Sequence, residues 1–358
     1  LYVHAAEEDH SGAGRRVLES LPVTGKPYVD SEVELRYAPA VQKALAYFPV
    51  VPATVEFVDF SENVTFRIRE RDTQSDYVLR LHRPGYNSLT ELESEREWVG
   101  ALVDCGIPVP EPVRTINGKH FVSIDIPGSD EQRYVGMTTW REGVPLYRCP
   151  EVYSDPGQRR RILRRIGEIT ADMHNQAVSW EVPAAFTRPS LDLDGLLGET
   201  PRWGRFWEHT ALPPGGREQL LEARDKLRGL LSAYGRGPHN YSLIHADLDS
   251  DNIIYDEGDL ALIDFDDSAY GWHAYDIASA LIEYCADPDF DELQTAMLEG
   301  YRERRSFAVT DEKMLPDFLL VRGLAIVGWY HDRPEYAASR DFEMIRDWTL
   351  ERCGSMQD

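Results

Sequence analysis

Positive charge is what this 358-residue chain has least of: 38 Lys and Arg stand against 62 Asp and Glu, a formal net charge of −24. A nucleic-acid binder needs a positive footprint, so the balance argues against one while still allowing a local basic pocket. The surplus of acid favours cationic partners, or simply solubility. Cysteine is scarce as well. Cys105, Cys149, Cys285 and Cys353 lie too far apart for a CxxC zinc or redox motif, and are too few for a disulfide framework at this length. No run comes near the ~18 uninterrupted apolar residues that a membrane-spanning helix requires. Residues 1–14 are charged and contain glycine, without the apolar stretch of a signal peptide, so the expectation is a cytoplasmic protein.

What is present is ordinary globular composition, 42% hydrophobic and 11% aromatic, in a chain long enough for about two lobes that each bury a core. After a polar lead-in over the first 30 residues, the spacing predicts a helix over Glu32–Tyr47. Alternating strands follow at Thr54–Val58, Val64–Ile68 and Tyr77–Leu81. A helix over Leu89–Val103 is stopped by Pro108 and Pro110, and two more strand-like runs occupy Phe121–Ile126 and Tyr134–Trp140. Beyond Gly143 helical periodicity dominates, at Arg159–Ala177, Gly216–Tyr234 and most of Phe290–Cys353. One hairpin, Ile253–Phe265, folds around Asp256-Glu257-Gly258-Asp259. The class is therefore α+β, with a β-rich N-terminal lobe over residues 1–137, a connection at 138–143 and a mostly helical lobe over 144–358.

The chemistry concentrates in Leu243-Ile244-His245-Ala246-Asp247-Leu248-Asp249-Ser250-Asp251-Asn252-Ile253, followed after the hairpin turn by Leu262-Ile263-Asp264-Phe265-Asp266-Asp267. Hairpin arms of equal length bring Asp264 back beside Asn252. A carboxylate and an amide oxygen are hard donors suited to Mg²⁺. Asp247 is left to orient an attacking hydroxyl and accept its proton. Phosphoryl transfer needs little beyond this and phosphate clamps, because its catalysis is mainly positioning and charge neutralisation. Asp247 and Asn252 also suit plain turns. Asp264, however, closes the apolar strand Ala261-Leu262-Ile263, where an acid without a role is costly.

His-x-Asp-x-x-x-x-Asn, a hairpin, Ile-Asp-Phe, and downstream Tyr275-Asp276-Ile277-Ala278 together resemble the aminoglycoside phosphotransferase and choline-kinase-like superfamily, small-molecule relatives of the protein kinases. Gly-Trp-His-Ala-Tyr-Asp and the run Arg322–Tyr330 are most similar to its bacterial homoserine-kinase-like, hydroxylysine-kinase-like and stress-response kinase members. The resemblance implies a two-lobed protein-kinase-like fold and ATP- and Mg²⁺-dependent transfer of a γ-phosphoryl group. It implies Asp247 as base, Asn252 and Asp264 as metal ligands, and His245 and Asp276 as supports of the loop. The nucleotide loop falls at Ser61-Glu62-Asn63-Val64-Thr65. It contains no glycine, so Ser61, Asn63 and Thr65 would meet phosphate through backbone N–H groups and side chains, or the segment is a plain hairpin turn. Where the family has a lysine this chain has Arg80, with Glu95 as its helix partner; Met137–Gly143 takes the place of the adenine-reading hinge. His174 reads as a core histidine.

For the acceptor, the acids Asp249, Asp251, Asp266, Asp267 and Glu283 gather near the centre, and Tyr270, Trp272 and His273 are candidate aromatic walls for an ammonium group. Asp266 and Asp267 read equally well as a solvated loop. The expected substrate is an amino alcohol, a hydroxy amino acid or an aminoglycoside. A stress-response Ser/Thr protein kinase is the alternative, and a non-catalytic nucleotide-binding module a third reading that retention of Asp247, Asn252 and Asp264 speaks against. The sequence carries no signal for oligomeric state.

Overall fold

A computed structural model of the chain describes residues 30–61, 63–336 and 340–356. The polar lead-in and Glu62 of the expected nucleotide loop lie outside the described residues. The elements run α1 (Asp30–Leu45), β1 (Pro52–Phe60), β2 (Val64–Glu70), β3 (Asp76–Leu81), α2 (Leu89–Asp104), β4 (Pro112–Val113), β5 (Phe121–Asp125), β6 (Gln132–Thr139) and β7 (Val144–Pro145). Next come α3 (Pro150–Ser154), α4 (Pro156–Ser179), β8 (Ser190–Leu191), α5 (Leu193–Leu197), α6 (Gly216–Tyr234), β9 (Tyr241–Ile244), β10 (Ile253–Asp256), β11 (Asp259–Leu262) and β12 (Ala269–Trp272). The chain closes with α7 (His273–Leu281), α8 (Phe290–Arg304), α9 (Val309–Glu312), α10 (Leu315–His331) and α11 (Arg340–Ser355).

Alternation in the first lobe produces a six-stranded antiparallel sheet ordered β1-β2-β3-β6-β4, with β5 also on β6. In β2 the even-spaced Val64, Phe66 and Ile68 are buried, and α1 covers that face with Val33, Tyr37, Val41 and Leu45. A capping box, Ser88 with Glu91, starts α2. That helix sits in the N-lobe sequence but packs elsewhere. Trp98, Val99 and Leu102 belong to the large helical core, where Trp98 meets Phe265 edge to face at 5.6 Å and donates to Gln176 Oε1 at 2.9 Å. It thereby ties the first lobe to the loop that follows β11.

The larger lobe is built on α4, α7, α8 and α10, with two three-stranded sheets, β11-β10-β7 and β8-β12-β9. Between the lobes the chain passes Gly143, whose φ of +109° is left-handed. A Cβ there would stand 2.4 Å from the Tyr255 carbonyl oxygen, so glycine lets β7 lie flat against β10. No helix among the described residues is long and apolar enough to cross a membrane.

Candidate active site

The loop after β9 is fixed by one buried carboxylate. Asp276, in the first turn of α7, accepts from the His245 amide at 2.9 Å and the Ala246 amide at 2.6 Å. The His174 ring bonds the same carboxylate at 3.0 Å and the Tyr301 hydroxyl at 2.8 Å. Ala246 is held at φ +72°, a left-handed conformation that costs an alanine about 1–2 kcal/mol. Two charge-assisted bonds, each about 1.5–3 kcal/mol, outweigh that strain. His245 directs Nε2 to the Ile263 carbonyl at 2.9 Å and takes the Asp247 amide on Nδ1 at 3.3 Å. With both ring nitrogens engaged it braces the loop, as does the core histidine His174.

Asp247 therefore projects into the cleft from a rigid turn, its side chain 27% exposed. Asn252 Nδ2 donates to Asp247 Oδ2 at 3.0 Å and to the Asp247 carbonyl at 2.9 Å, so the Asn252 amide oxygen faces away. The other carboxylate oxygen is bonded by Arg322 of α10. Burial weakens a guanidinium's hold on its proton, but Asp247, Tyr275 and Asp249 more than offset this and Arg322 stays charged.

On the same side of the cleft, Ile263 N donates to the Asn252 carbonyl at 2.9 Å, which sets Asp264 beside Asn252 in the chain path. Asp264 adopts φ +62° and is gripped bidentately by Arg80 of β3, at 2.7 and 3.1 Å. The expected Arg80–Glu95 pair is thus not made. Glu95 lies 3.1 Å from its neighbour Arg96, its Oε2 is sealed without a partner, and burial pushes its carboxyl up. Aspartates closer to the guanidinium have captured it.

Ser61, Asn63 and Thr65 all line the cleft, and Thr65 sits opposite Arg80 in the β2–β3 register. Asn63 differs from the expected phosphate contact: Nδ2 donates to Asp266 Oδ2 at 2.5 Å, and Oδ1 accepts from the Arg83 amide at 2.9 Å. It braces the loop against the segment that follows Asp264. Tyr336 adds a second tie, its hydroxyl donating to the Ser61 carbonyl at 2.7 Å. Burial pushes the Asp266 carboxyl upward, yet His82, Arg80 and Asn63 together hold it well below the carboxylate range.

The acids expected on the acceptor side do converge. Asp249, Asp251, Asp267 and Glu283 line the cleft near Asp247. Glu283 accepts from the Ser250 amide at 3.2 Å and the Ser250 hydroxyl at 3.0 Å, and burial pushes its carboxyl up to about 7. Burial, and then the charge of Asp247, raise Asp267 to about 6 and Asp249 well above its usual range. Asp249 Oδ1 is sealed with no hydrogen-bond partner. The aromatic walls are not those expected. Trp272 is in the core, donating to the Gly235 carbonyl at 2.8 Å and packing edge to face on Tyr241; His273 stacks on His174, and Tyr270 faces Phe186. The three residues lie on β12 and at the start of α7, and none of them lines the cleft.

Tyr86, Trp203 and Trp329 are among the aromatic residues that line the cleft instead, Tyr86 bonding Asp267. These and Arg322 are what sequence reasoning missed. A signal existed for Arg322, a lone arginine in the apolar helix Leu315–His331, where an unpaired charge is expensive.

The cleft is about 2210 Å³, larger than the ~300–1,000 Å³ typical of a single-ligand site, and bordered by both lobes. The sequence pattern that defines the phosphotransferase enzyme family (APH) matches residues 55–309. Homoserine kinase of Pseudomonas aeruginosa (strain UCBPP-PA14) is 39% identical over 267 residues, 73% of this chain and 75% of the relative. Amicoumacin kinase of Bacillus subtilis (strain 168) is 26% identical over 287 residues, 77% of this chain and 80% of the relative. The structure of a microcompartment-associated aminopropanol kinase superposes with a TM-score of 0.74 at 32% identity, covering 88% of this chain and 95% of that one. The chain belongs to the phosphotransferase enzyme family, with a two-lobed protein-kinase-like fold, and is a kinase with an alcohol group as acceptor.

Proposed function

We propose that the chain moves the γ-phosphoryl group of ATP to a hydroxyl of a small, amine-bearing acceptor, with Asp247 as the base. The observation that carries this reading is the mounting of Asp247. It faces the cleft from a loop locked by Asp276, with one oxygen on Asn252 and the other on Arg322. In the reaction the acceptor oxygen bonds to the γ-phosphorus, the bond from that phosphorus to the β–γ bridging oxygen breaks, and the hydroxyl proton passes to Asp247. ADP and a phosphomonoester leave.

Asn252 and Asp264 would hold Mg²⁺. Their donors are hard oxygens, the Asn252 amide oxygen is turned from Asp247, and the Asp264 side chain is 30% exposed toward the cleft. Mg²⁺ would keep waters and phosphate oxygens in the rest of its shell. When bound, that cation neutralises phosphate charge. Arg80 would then share its guanidinium between Asp264 and phosphate, with the sealed Glu95 oxygen as a further partner. Ser61 and Thr65 would offer hydroxyl and backbone groups to the phosphates while Asn63 keeps the loop closed. Residues 138–143 would serve as the hinge, reading adenine with main-chain groups.

Acceptor recognition is assigned to Asp249, Asp266, Asp267 and Glu283, with Trp203 rather than Trp272 as aromatic wall. The acid-rich lining supports a cationic acceptor. The relatives' names, homoserine, amicoumacin and aminopropanol kinase, support a small one. The test is Mg²⁺-dependent ADP release with amino alcohols, hydroxy amino acids, aminoglycosides and Ser/Thr-containing proteins, each beside Asp247→Ala. Stimulation by a small-amine pool that vanishes in the variant is expected. Stimulation by the protein pool alone would favour the protein-kinase alternative, and ATP binding without stimulation by any pool would count against catalysis.

A further inference from the structure

Arg322 lies beyond residue 309, where the family pattern ends, yet it contacts the proposed base. It sits in the middle of α10 among Phe318, Leu319, Leu320, Val321 and Leu324, all buried, and is itself only 7% exposed. A guanidinium at such a depth is expensive unless it is paired and hydrogen-bonded. Its partners are specific. Nη2 bonds Asp247 Oδ1, Nη1 points to the Ala246 carbonyl at 3.4 Å, and the cation stands 5.9 Å from the Trp203 ring centroid. Nε is sealed without a partner, so the group is not placed there to satisfy all its own donors. Its ion pair is with Asp247, the charge that does most to keep the buried guanidinium protonated.

We propose that Arg322 is a positioning residue for phosphoryl transfer: with Asn252 it clamps the Asp247 carboxylate from both sides. The inference rests on Asp247 being the base. Asn252 bonds Oδ2 and Arg322 bonds Oδ1, which fixes the rotamer and leaves a defined lone pair for the incoming hydroxyl. Charge gives a second reason for a cation here. Asp249, Asp251 and Asp267 line the same cleft as Asp247, and nucleotide phosphates add further negative charge. Without a paired cation the base would be repelled from the phosphate it must face. Arg322 does not touch the reacting atoms in this account; it acts through Asp247.

That mode of action has a distinctive signature in a double-mutant cycle. With the best acceptor from the pools above, Arg322→Met should lower kcat about 100-fold and leave KM for ATP within about twofold; Arg322→Lys should recover about tenfold of the loss. In an Asp247→Ala background, followed over long incubations, Arg322→Met should change the residual rate by less than about twofold, because the group it positions is gone. Losses that multiply in the double variant would overturn the inference and leave Arg322 with a structural role. Wild-type turnover in Arg322→Met would overturn it as well. Thermal melts accompany each variant, and if Arg322→Met does not fold, the same cycle is run with Arg322→Lys. Failure of the wild type with every acceptor would instead strike the proposed function.

Discussion

The two sides of the cleft are held in different ways. On the large-lobe side, the His245–Asn252 loop is locked by buried bonds that need no ligand. Asp276 restrains two successive amides, His245 uses both ring nitrogens, and the strain at Ala246 persists because these bonds exceed it. On the small-lobe side, Arg80 rests on Asp264 and Asn63 on Asp266, both across the cleft. Those contacts occupy groups that phosphate and metal would use. Under the proposed function Asp247 would be a pre-organised base, while Arg80 would turn partly from Asp264 toward phosphate when the nucleotide arrives. In a reaction governed by positioning, this division would put rigidity where the proposed base takes the proton and adaptability where a large anion would enter.

The contrast breaks most severely at Asp276. Asp276→Asn removes the charge and sets an NH2 group against one of the two backbone donors, and should lower unfolding free energy by about 3 kcal/mol or more, read from urea melts, together with turnover. A variant of wild-type stability would mean that the loop does not depend on this carboxylate. Next comes Asp264→Asn, which takes a charge from the proposed metal site. Mg²⁺-dependent ATP affinity should fall roughly 10- to 100-fold by calorimetry, the size of one lost charge-assisted contact. Unchanged affinity would remove Asp264 from the metal site.

A third expectation concerns pH. Burial raises Glu283 to about 7, from an ordinary value of 4.5. Between those values the folded chain binds more protons at this site than the unfolded chain, so its contribution makes stability fall as pH rises through that window. Glu283→Gln should flatten the slope of stability between pH 4.5 and 7; an unaltered slope would show that Glu283 titrates normally. Smallest is Asn63→Ala, which frees the nucleotide loop and should raise KM for ATP about 3- to 10-fold with kcat little changed. A fall in kcat without a change in KM would place Asn63 in the chemistry instead.

The locked side was the legible one. Its geometry follows from local spacing: hairpin arms of equal length fix where Asp264 lies relative to Asn252, and the chain pairs Ile253 with Leu262 as that count requires. The adaptable side depends on which of several charges wins a cation, and spacing does not encode that. Arg80 was expected on Glu95 but is nearer to Asp264 and Asp266, so the strand-to-helix pairing gave way to a pairing across the cleft. Trp272 was misplaced for a different reason. It ends β12, where its ring is buried beside Tyr241 and Phe318. Arg322 is 75 residues from Asp247, and only its isolation in an apolar helix hinted at a buried partner.

The most direct test of the central claim, that a pre-organised Asp247 serves as the base for transfer to an alcohol, is phosphorus NMR of the products. Wild-type protein and Asp247→Ala would each be incubated with Mg²⁺, ATP and the acceptor that stimulates ADP release most. A phosphomonoester resonance should rise with ADP in the wild type, and the rate should be roughly 10²–10⁴-fold lower in the variant with ATP still bound. Equal ester formation by both proteins, or inorganic phosphate as the wild type's only product besides ADP, would contradict it.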